Sequence, residues 1–199
     1  MKLTNFLILL CTAFSLYAWS TSNNLAFSEY ALFHEGYYTL LTGLFVHASL
    51  VHLAGNMLFL YIFGSSLENE VGALRTAAVF FTGGILSFVL SIPFYPGADM
   101  LGASAAIFAV MAAVLLVRRP GYSIQFLSPL GPLALLYFIF NIASVGSGGN
   151  VAYISHVIGF VIGLFFGARW NTEWKKSLLF TLLLLIGYIV LYNYLMIWI

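Results

Sequence analysis

Charged residues are scarce in this sequence: only 7% of its 199 residues are charged, whereas 62% are hydrophobic. A soluble domain of this length needs a charged surface, and this chain cannot form one. The scarcity of charge therefore excludes an ordinary soluble fold and predicts a protein that is solvated mostly by lipid. The net charge of +1 gives no basis for nucleic-acid binding either.

Other patterns are also missing. The single cysteine, Cys11, excludes an intrachain disulfide. Neither a glycine-rich phosphate-binding motif nor a Cys-x-x-Cys pair occurs, so no cofactor is expected. The alternation of apolar and polar residues that a membrane β-barrel requires is lacking. The apolar residues form continuous runs instead, which favours membrane-spanning helices.

Seven apolar segments predict an all-α, polytopic membrane helix bundle. Their approximate bounds are 3–20, 50–66, 73–94, 101–117, 125–144, 151–168 and 177–198. The whole chain, 1–199, is predicted to be a single membrane-embedded domain. Its longest joint, 21–49, is expected to fold onto the membrane surface. A cleavable signal peptide ending near Ala18-Trp19-Ser20 is an alternative interpretation of the first segment.

The basic residues indicate how this multi-pass protein is oriented. With seven spans, all of them fall at the N-terminus or in the joints after the second, fourth and sixth spans: Lys2, Arg75, Arg118, Arg119, Arg169, Lys175 and Lys176. Because Lys and Arg collect on the cytoplasmic side, the N-terminus is predicted in the cytoplasm and the C-terminus outside. The lack of soluble domains favours a prokaryotic plasma membrane.

Four polar residues are predicted at the same depth, within about two helical turns of the outer boundary. His52 and Asn56 lie on the second segment, Ser104 on the fourth and His156 on the sixth. Polar side chains inside a membrane are costly and are often functional. Asn141, near the outer end of the fifth segment, is a weaker candidate of the same kind.

Small residues indicate how two of these helices meet. The sixth segment carries Gly159, Gly163 and Gly167 at intervals of four, and the fourth carries a face rich in alanine. Such faces let helix backbones approach closely. If the two faces pack, Ser104 and His156 come within hydrogen-bonding distance, and a neutral histidine is the usual base for a serine nucleophile.

The other members of the polar layer suggest an oxyanion site. His52 and Asn56 are one helical turn apart, and both can donate hydrogen bonds. Asp99 is the acid nearest to Ser104 in sequence, but a Ser–His dyad is favoured over a triad. A zinc site formed by His52, His156 and His47 is an alternative, although no His-Glu-x-x-His motif accompanies it. For Ser104 alone, a packing role in a membrane helix is the other interpretation.

These residues resemble the rhomboid intramembrane serine proteases over about residues 35–168. The matching motifs are Gly-x-Ser, His-x-x-x-Asn, His-x-x-Gly-x-x-x-Gly, and an acidic residue with a glycine that closes the second span. In this sequence they fall on Gly102 and Ser104, on His52 and Asn56, on His156, Gly159 and Gly163, and on Glu68 and Gly72.

The resemblance implies a six-span catalytic core, 3–168, followed by a seventh transmembrane helix, 177–198. It implies an endopeptidase that cleaves transmembrane segments near the outer membrane boundary. Ser104 would be the nucleophile and His156 the general base, and His52, Asn56 and the Ser104 backbone N–H would bind the oxyanion. Gly102, Phe108 and Gly159 would support the site. The expected partners are single-span membrane proteins and the lipid bilayer; the oligomeric state is left open, and no metal is expected.

Three departures from the family pattern are visible. Tyr37-Tyr38-Thr39 stands where the first outer loop usually has a Trp-Arg pair, which bears on the stability of that loop. Ala105 follows the serine where glycine is frequent, and Phe108 replaces a frequent tyrosine. Phe108 can still stack on the histidine, although it has no hydroxyl group to donate.

Two other functions remain as alternatives. A rhomboid-like protein that binds membrane helices without cleaving them is expected to lose Ser104 or His156, and both are present. A small transporter predicts inverted repeats and charges at the midplane, and neither is found. For a protease, the gate is expected either at the fifth segment, with Pro129, Gly131 and Pro132, or at the joint Gly146-Ser147-Gly148-Gly149.

Overall fold

The structure is a computed structural model of a helical bundle, and it describes residues 1–21, 23–34, 36–117, 130–144 and 152–197. The helices are α1 (Leu3–Thr21), α2 (Glu29–Phe33), α3 (Thr39–Thr42), α4 (Leu50–Phe59), α5 (Ser65–Val71), α6 (Ala73–Ser91), α7 (Ser104–Val117), α8 (Leu130–Ala143), α9 (Tyr153–Trp170) and α10 (Trp174–Ile197). A π-helical turn, Leu60–Gly64, joins α4 to α5, and a 3₁₀ turn, Ile92–Phe94, extends α6.

For the described residues, the predicted helical bundle is confirmed. Within the described ranges, four helical stretches are long and apolar enough to cross a membrane: Leu3–Thr21, Leu50–Val71, Ala73–Phe94 and Tyr153–Trp170. Two shorter apolar helices accompany them, Ser104–Val117 and Pro132–Ala143. The count of seven spans stays a prediction. Arg118, Arg119, Pro129 and the Gly146-Ser147-Gly148-Gly149 joint lie outside the described residues.

The helix of the second apolar segment is longer than the apolar run itself. The apolar run ends near residue 66, whereas the helix continues through the π turn to Val71, next to Gly72, which the resemblance gives as the close of this span. The side chain of Glu68 accepts hydrogen bonds from the backbone N–H groups of Leu3 and Thr4 at 2.8 and 2.9 Å. It therefore satisfies N–H groups that the start of α1 leaves unpaired. The extra turn of α5 holds the first helix in the bundle.

The centre of the bundle is α7, whose side chains from Ala105 to Leu116 are all buried. Its 14 residues span roughly 21 Å, which is shorter than the hydrocarbon core of a bilayer. The backbone just before α7 must therefore find its hydrogen-bond partners within the protein. The loop before it does this in two places, because Met100 pairs with Phe27 and the Gly102 N–H donates to the Gly43 carbonyl at 2.8 Å.

Helix α9 lies against α7 through the predicted small-residue faces. A Cβ added to Gly159 would overlap the carbonyl oxygen of Ala105, and one added to Gly163 would overlap that of Ala109. At Gly167 the added atom would lie 2.8 Å from Leu116 Cβ. The two backbones approach closely only because these positions are glycine.

The joint between the first two spans folds back over this region. Phe27 stacks on Phe88 of α6 with 5.4 Å between ring centroids. The hydroxyl of Thr39, in the segment that departs from the family pattern, donates to the Gly36 carbonyl at 2.6 Å. Thr42 likewise donates to the Leu25 carbonyl at 3.0 Å. These bonds hold the joint, in which Tyr37-Tyr38-Thr39 stands where the resemblance led us to expect a Trp-Arg pair.

Basic residues in the described part of the chain gather at one end of the bundle. Lys2 donates to Asn69 near the end of α5 at 2.7 Å, and Arg75 lies over the ring of Trp170, 5.5 Å from its centroid. Lys175 and Lys176 follow shortly after Trp170. Helices α4, α7 and α9 all run toward this basic end, so the residues at their N-terminal ends lie at the opposite end.

Candidate active site

Ser104 and His156 form a direct hydrogen bond at the end of the bundle opposite the basic residues. The distance from Ser104 Oγ to His156 Nε2 is 2.7 Å. Ser104 is the first residue of α7, and His156 lies in the first turn of α9. The glycine contacts described above bring these two helix starts together. A serine hydroxyl within hydrogen-bonding distance of an imidazole nitrogen is the arrangement that activates it for attack.

The opposite edge of the His156 ring is bonded to Asn141 of α8. The distance from His156 Nδ1 to Asn141 Oδ1 is 2.7 Å, and Asn141 Nδ2 donates to the carbonyl oxygen of Tyr153 at 3.0 Å. Both side chains are buried, with exposed fractions of 7% for His156 and 3% for Asn141. Asn141, which the sequence indicated as a weaker candidate, therefore contacts His156 directly.

The face of the His156 ring is covered by Phe108. Their ring centroids are 4.7 Å apart and the planes differ by 13°. Tyr137 of α8 stacks on Phe108 at 5.1 Å, and Phe59 of α4 stacks on Tyr137 at 4.9 Å. This column of rings limits rotation of the imidazole and brings four helices together beside the dyad.

Gly102 has a conformation and a neighbour that both require glycine. Its φ is +110°, which side chains disfavour. A Cβ at this position would lie 2.9 Å from His52 Cε1 and 3.1 Å from His52 Nε2. The ring of His52 therefore rests directly on the backbone that leads into Ser104.

His52 presents a donor to this region. Its Nδ1 accepts a long hydrogen bond, 3.4 Å, from the backbone N–H of Ala48. A neutral imidazole has one N–H and one lone pair, so the proton is on Nε2, the nitrogen that lies against Gly102. Asn56 lies one turn further along α4 and donates one of its two amide hydrogens to the His52 carbonyl at 2.9 Å.

A second histidine supports the same loop. The N–H of Ala103 donates to His47 Nε2 at 3.4 Å, and His47 Nδ1 lies 3.2 Å from Ser15 Oγ. Ser15 in turn donates to the Phe45 carbonyl at 3.2 Å. Burial, with a smaller effect of His52, lowers the pKa of His47 to about 4, so its ring is neutral at physiological pH. A neutral ring can accept from Ala103 and donate to Ser15, and it thereby connects α1 to the residue before Ser104.

The sequence did not reveal this role of His47, which entered the prediction only as a possible zinc ligand. Among the described residues, no group of three or more His, Cys, Asp or Glu side chains is placed to hold a metal ion. Asp99 accepts a hydrogen bond from Asn24 at 3.2 Å in the loop before α7, whereas the ring nitrogens of His156 are bonded to Asn141 and Ser104. No sequence signal distinguishes a supporting histidine from a ligand, because the partners of His47 are backbone groups and a serine 32 residues away.

Comparison with known proteins identifies the family of this chain. A family model described as the rhomboid domain matches residues 34–172. The chain belongs to the rhomboid family. The matched range contains all of the motif residues named above, and the helices that carry them make the protein an integral membrane protein.

Three relatives illustrate the range of this rhomboid family. Rhomboid protease GluP of Bacillus subtilis is 33% identical over 143 residues, which are 70% of this chain and 27% of that protein. RHOMBOID-like protein 2 of Arabidopsis thaliana is 29% identical over 148 residues, or 72% of this chain and 46% of the relative. Inactive rhomboid protein 1 of Drosophila melanogaster is 35% identical over 78 residues, which are 39% of this chain and 6% of that protein. The chain spans less than half the length of each of these relatives.

Proposed function

We propose that this rhomboid protein is an intramembrane serine endopeptidase in which Ser104 is the nucleophile and His156 the general base. The observation that carries the proposal is the 2.7 Å hydrogen bond between Ser104 Oγ and His156 Nε2. A bacterial relative is named a protease and another relative is named inactive, so membership of the family leaves both functions open. The presence of both dyad residues in bonding geometry favours the protease.

The reaction begins when Ser104 Oγ attacks the scissile carbonyl carbon and its proton passes to His156 Nε2. A tetrahedral oxyanion forms, and it collapses as the imidazolium returns the proton to the leaving amine. Water then attacks the acyl-serine with His156 again acting as the base, and the second product leaves as a carboxylate. No cofactor or metal takes part in this proposal.

The oxyanion would be stabilised by groups on two helices. The Nε2–H of His52 lies beside Gly102, and Asn56 has a second amide hydrogen besides the one bonded to the His52 carbonyl. Ser104 begins α7, where backbone N–H groups have no partner within the helix and the helix dipole is positive. The N–H of Ala103 is already directed to His47, so the N–H of Ser104 is the backbone donor in this proposal.

The proposed substrates are single-span membrane proteins, cut near the outer boundary of the membrane. A peptide bond within a helix is shielded, so a substrate with helix-weak small residues near its outer end is favoured. Clustering of the basic residues opposite the dyad supports a cytoplasmic N-terminus and a site near the outer face. The core 3–168 with an added seventh span, and a prokaryotic plasma membrane, remain predictions.

Cleavage by the protein in proteoliposomes tests the nucleophile. The substrate is a single-span fusion protein with Gly, Ala and Ser near its outer end, and the two fragments are separated on a gel. Ser104→Ala is expected to lower the cleavage rate at least about a thousandfold, because the bond-forming oxygen is gone. The matched control is Ser91→Ala, since the buried hydroxyl of Ser91 has no hydrogen-bond partner within the described ranges. Cleavage by Ser104→Ala at the rate of the control would refute the proposal.

A second prediction concerns the oxyanion donor. His52→Phe keeps an aromatic ring against Gly102 but removes the Nε2–H. We expect kcat to fall by about 10²- to 10³-fold, as for loss of one oxyanion donor, with KM changed much less. Steady-state kinetics in detergent micelles measure both constants. A lower affinity with an unchanged kcat would show instead that His52 binds the substrate in its ground state.

A further inference from the structure

The side chain of Asn141 has an unambiguous orientation in the site. Its amide faces the carbonyl oxygen of Tyr153 at 3.0 Å on one side and His156 Nδ1 at 2.7 Å on the other. A carbonyl oxygen can only accept, so the atom facing Tyr153 is the NH₂ group. The atom facing His156 is therefore the amide oxygen, which can only accept as well.

This orientation determines where the proton of neutral His156 resides. Since Asn141 Oδ1 accepts, Nδ1 of the imidazole carries the hydrogen, and Nε2 keeps its lone pair. Nε2 is the nitrogen 2.7 Å from Ser104 Oγ. In the other tautomer, Nε2 would carry the hydrogen and could not accept the serine proton, while Nδ1 and Asn141 Oδ1 would be two acceptors in contact.

We infer that Asn141 is a positioning residue that holds His156 in the tautomer able to deprotonate Ser104. This inference rests on the proposed function and extends the dyad to a Ser104–His156–Asn141 chain. This series of three side chains has an amide where a Ser-His-Asp triad has a carboxylate. Its third member therefore accepts a hydrogen bond without adding a buried charge.

The inference also gives α8 a role. The dyad residues belong to α7 and α9, but Asn141 belongs to α8, whose other contacts with the site are made by Tyr137. Most side chains around Asn141 on this helix are exposed at the bundle surface, including Ile139, Phe140 and Ile142. A polar residue with 3% exposure among them is explained by its two bonds. Helix α8 is thus a wall of the active site as well as a surface of the bundle.

Two variants of Asn141 distinguish an effect of its hydrogen bond to His156 from an effect of its side-chain shape. Asn141→Leu keeps a similar shape without any polar atom, and Asn141→Asp keeps the acceptor. Because labelling requires the activated serine, the measured quantity is the rate at which a fluorophosphonate labels Ser104 in detergent micelles. The Leu variant is expected to label about a hundredfold more slowly, and the Asp variant within about tenfold of the unchanged protein. Ile142→Ala, at the neighbouring exposed position of α8, is the control and should label at the normal rate.

A second measurement depends neither on activity nor on the Asn141 variants. Nuclear magnetic resonance of the protein labelled with ¹⁵N-histidine distinguishes the tautomers of its four histidines, and the His156 signal is assigned by its loss in His156→Phe. We expect the Nδ1–H tautomer at His156. An Nε2–H tautomer, or labelling of Asn141→Leu at the normal rate, would overturn the inference. Absence of labelling in the unchanged protein would instead sink the proposed function, while the resonance experiment would still decide the role of Asn141.

Discussion

Replacing His156 by phenylalanine is expected to reduce substrate cleavage at least about a thousandfold while the bundle stays folded. Phenylalanine can keep the stacked contact with Phe108, which lies 4.7 Å from the histidine ring. It removes the Nε2 lone pair that, in the proposed mechanism, takes the proton of Ser104, so the hydroxyl would be left without a base. The variant also leaves Asn141 Oδ1 without its partner, which costs about 1–3 kcal/mol of stability.

The loss of activity in His156→Phe should be confined to the chemical step. Steady-state kinetics in proteoliposomes are expected to show a collapse of kcat with a KM close to normal, and a thermal unfolding midpoint shows that the variant is folded. His34→Phe is the matched control, because the exposed His34 stacks on Tyr30 of α2, in the joint between the first two spans. Retention of more than about a tenth of the normal kcat by His156→Phe would contradict its assignment as the base.

Gly163→Ala is expected to be the most damaging glycine-to-alanine change among the described glycines. The added Cβ would overlap the carbonyl oxygen of Ala109 and lie 2.7 and 2.8 Å from the carbonyl carbon and Cα of that residue. Backbone atoms cannot rotate away as a side chain can, so α7 and α9 must separate. Overpacking of this kind costs about 1–3 kcal/mol, and we expect the upper end of that range. The separation would also lengthen the Ser104–His156 bond and lower kcat.

Gly55→Ala provides the matched control for this prediction. Gly55 lies within α4, and nothing in the structure lies within 4 Å of a Cβ added there. Alanine at such a helical position stabilises by about 0.4–1 kcal/mol, since it restricts the unfolded chain. Thermal unfolding in micelles should therefore lower the midpoint for Gly163→Ala and leave it unchanged or raised for Gly55→Ala. Equal midpoints for the two variants would show that the α7–α9 contact is not tight.

The sequence allowed the fold class and the α7–α9 packing to be predicted, because both depend on patterns repeated along the chain. Continuous apolar runs predicted membrane helices, and the spacing of Gly159 and Gly163 predicted a close helix contact. The common depth of Ser104 and His156 followed from the segment boundaries. Their hydrogen bond, at 2.7 Å, is consistent with that prediction.

Features that depend on single side chains distant in sequence were not predictable. The hydrogen bonds by which Glu68 holds the start of α1 join it to Leu3 and Thr4, which are 65 and 64 residues away in sequence. The role of His47 depends on an N–H group of Ala103, 56 residues away. In the sequence, Asn141 is only a polar residue near the end of an apolar segment, and its amide orientation depends on the carbonyl oxygen of Tyr153. Composition and periodicity contain no information about such contacts.

The most direct test of the central claim, that His156 activates Ser104 as a nucleophile, is covalent labelling by a fluorophosphonate. Peptide mass spectrometry of the labelled protein identifies the modified residue without requiring a known substrate. We predict a single phosphonylated residue, Ser104, in the unchanged protein and in Ser91→Ala, and no labelling in Ser104→Ala or His156→Phe. Modification of another serine in place of Ser104, or labelling of Ser104 at an undiminished rate in His156→Phe, would contradict the account.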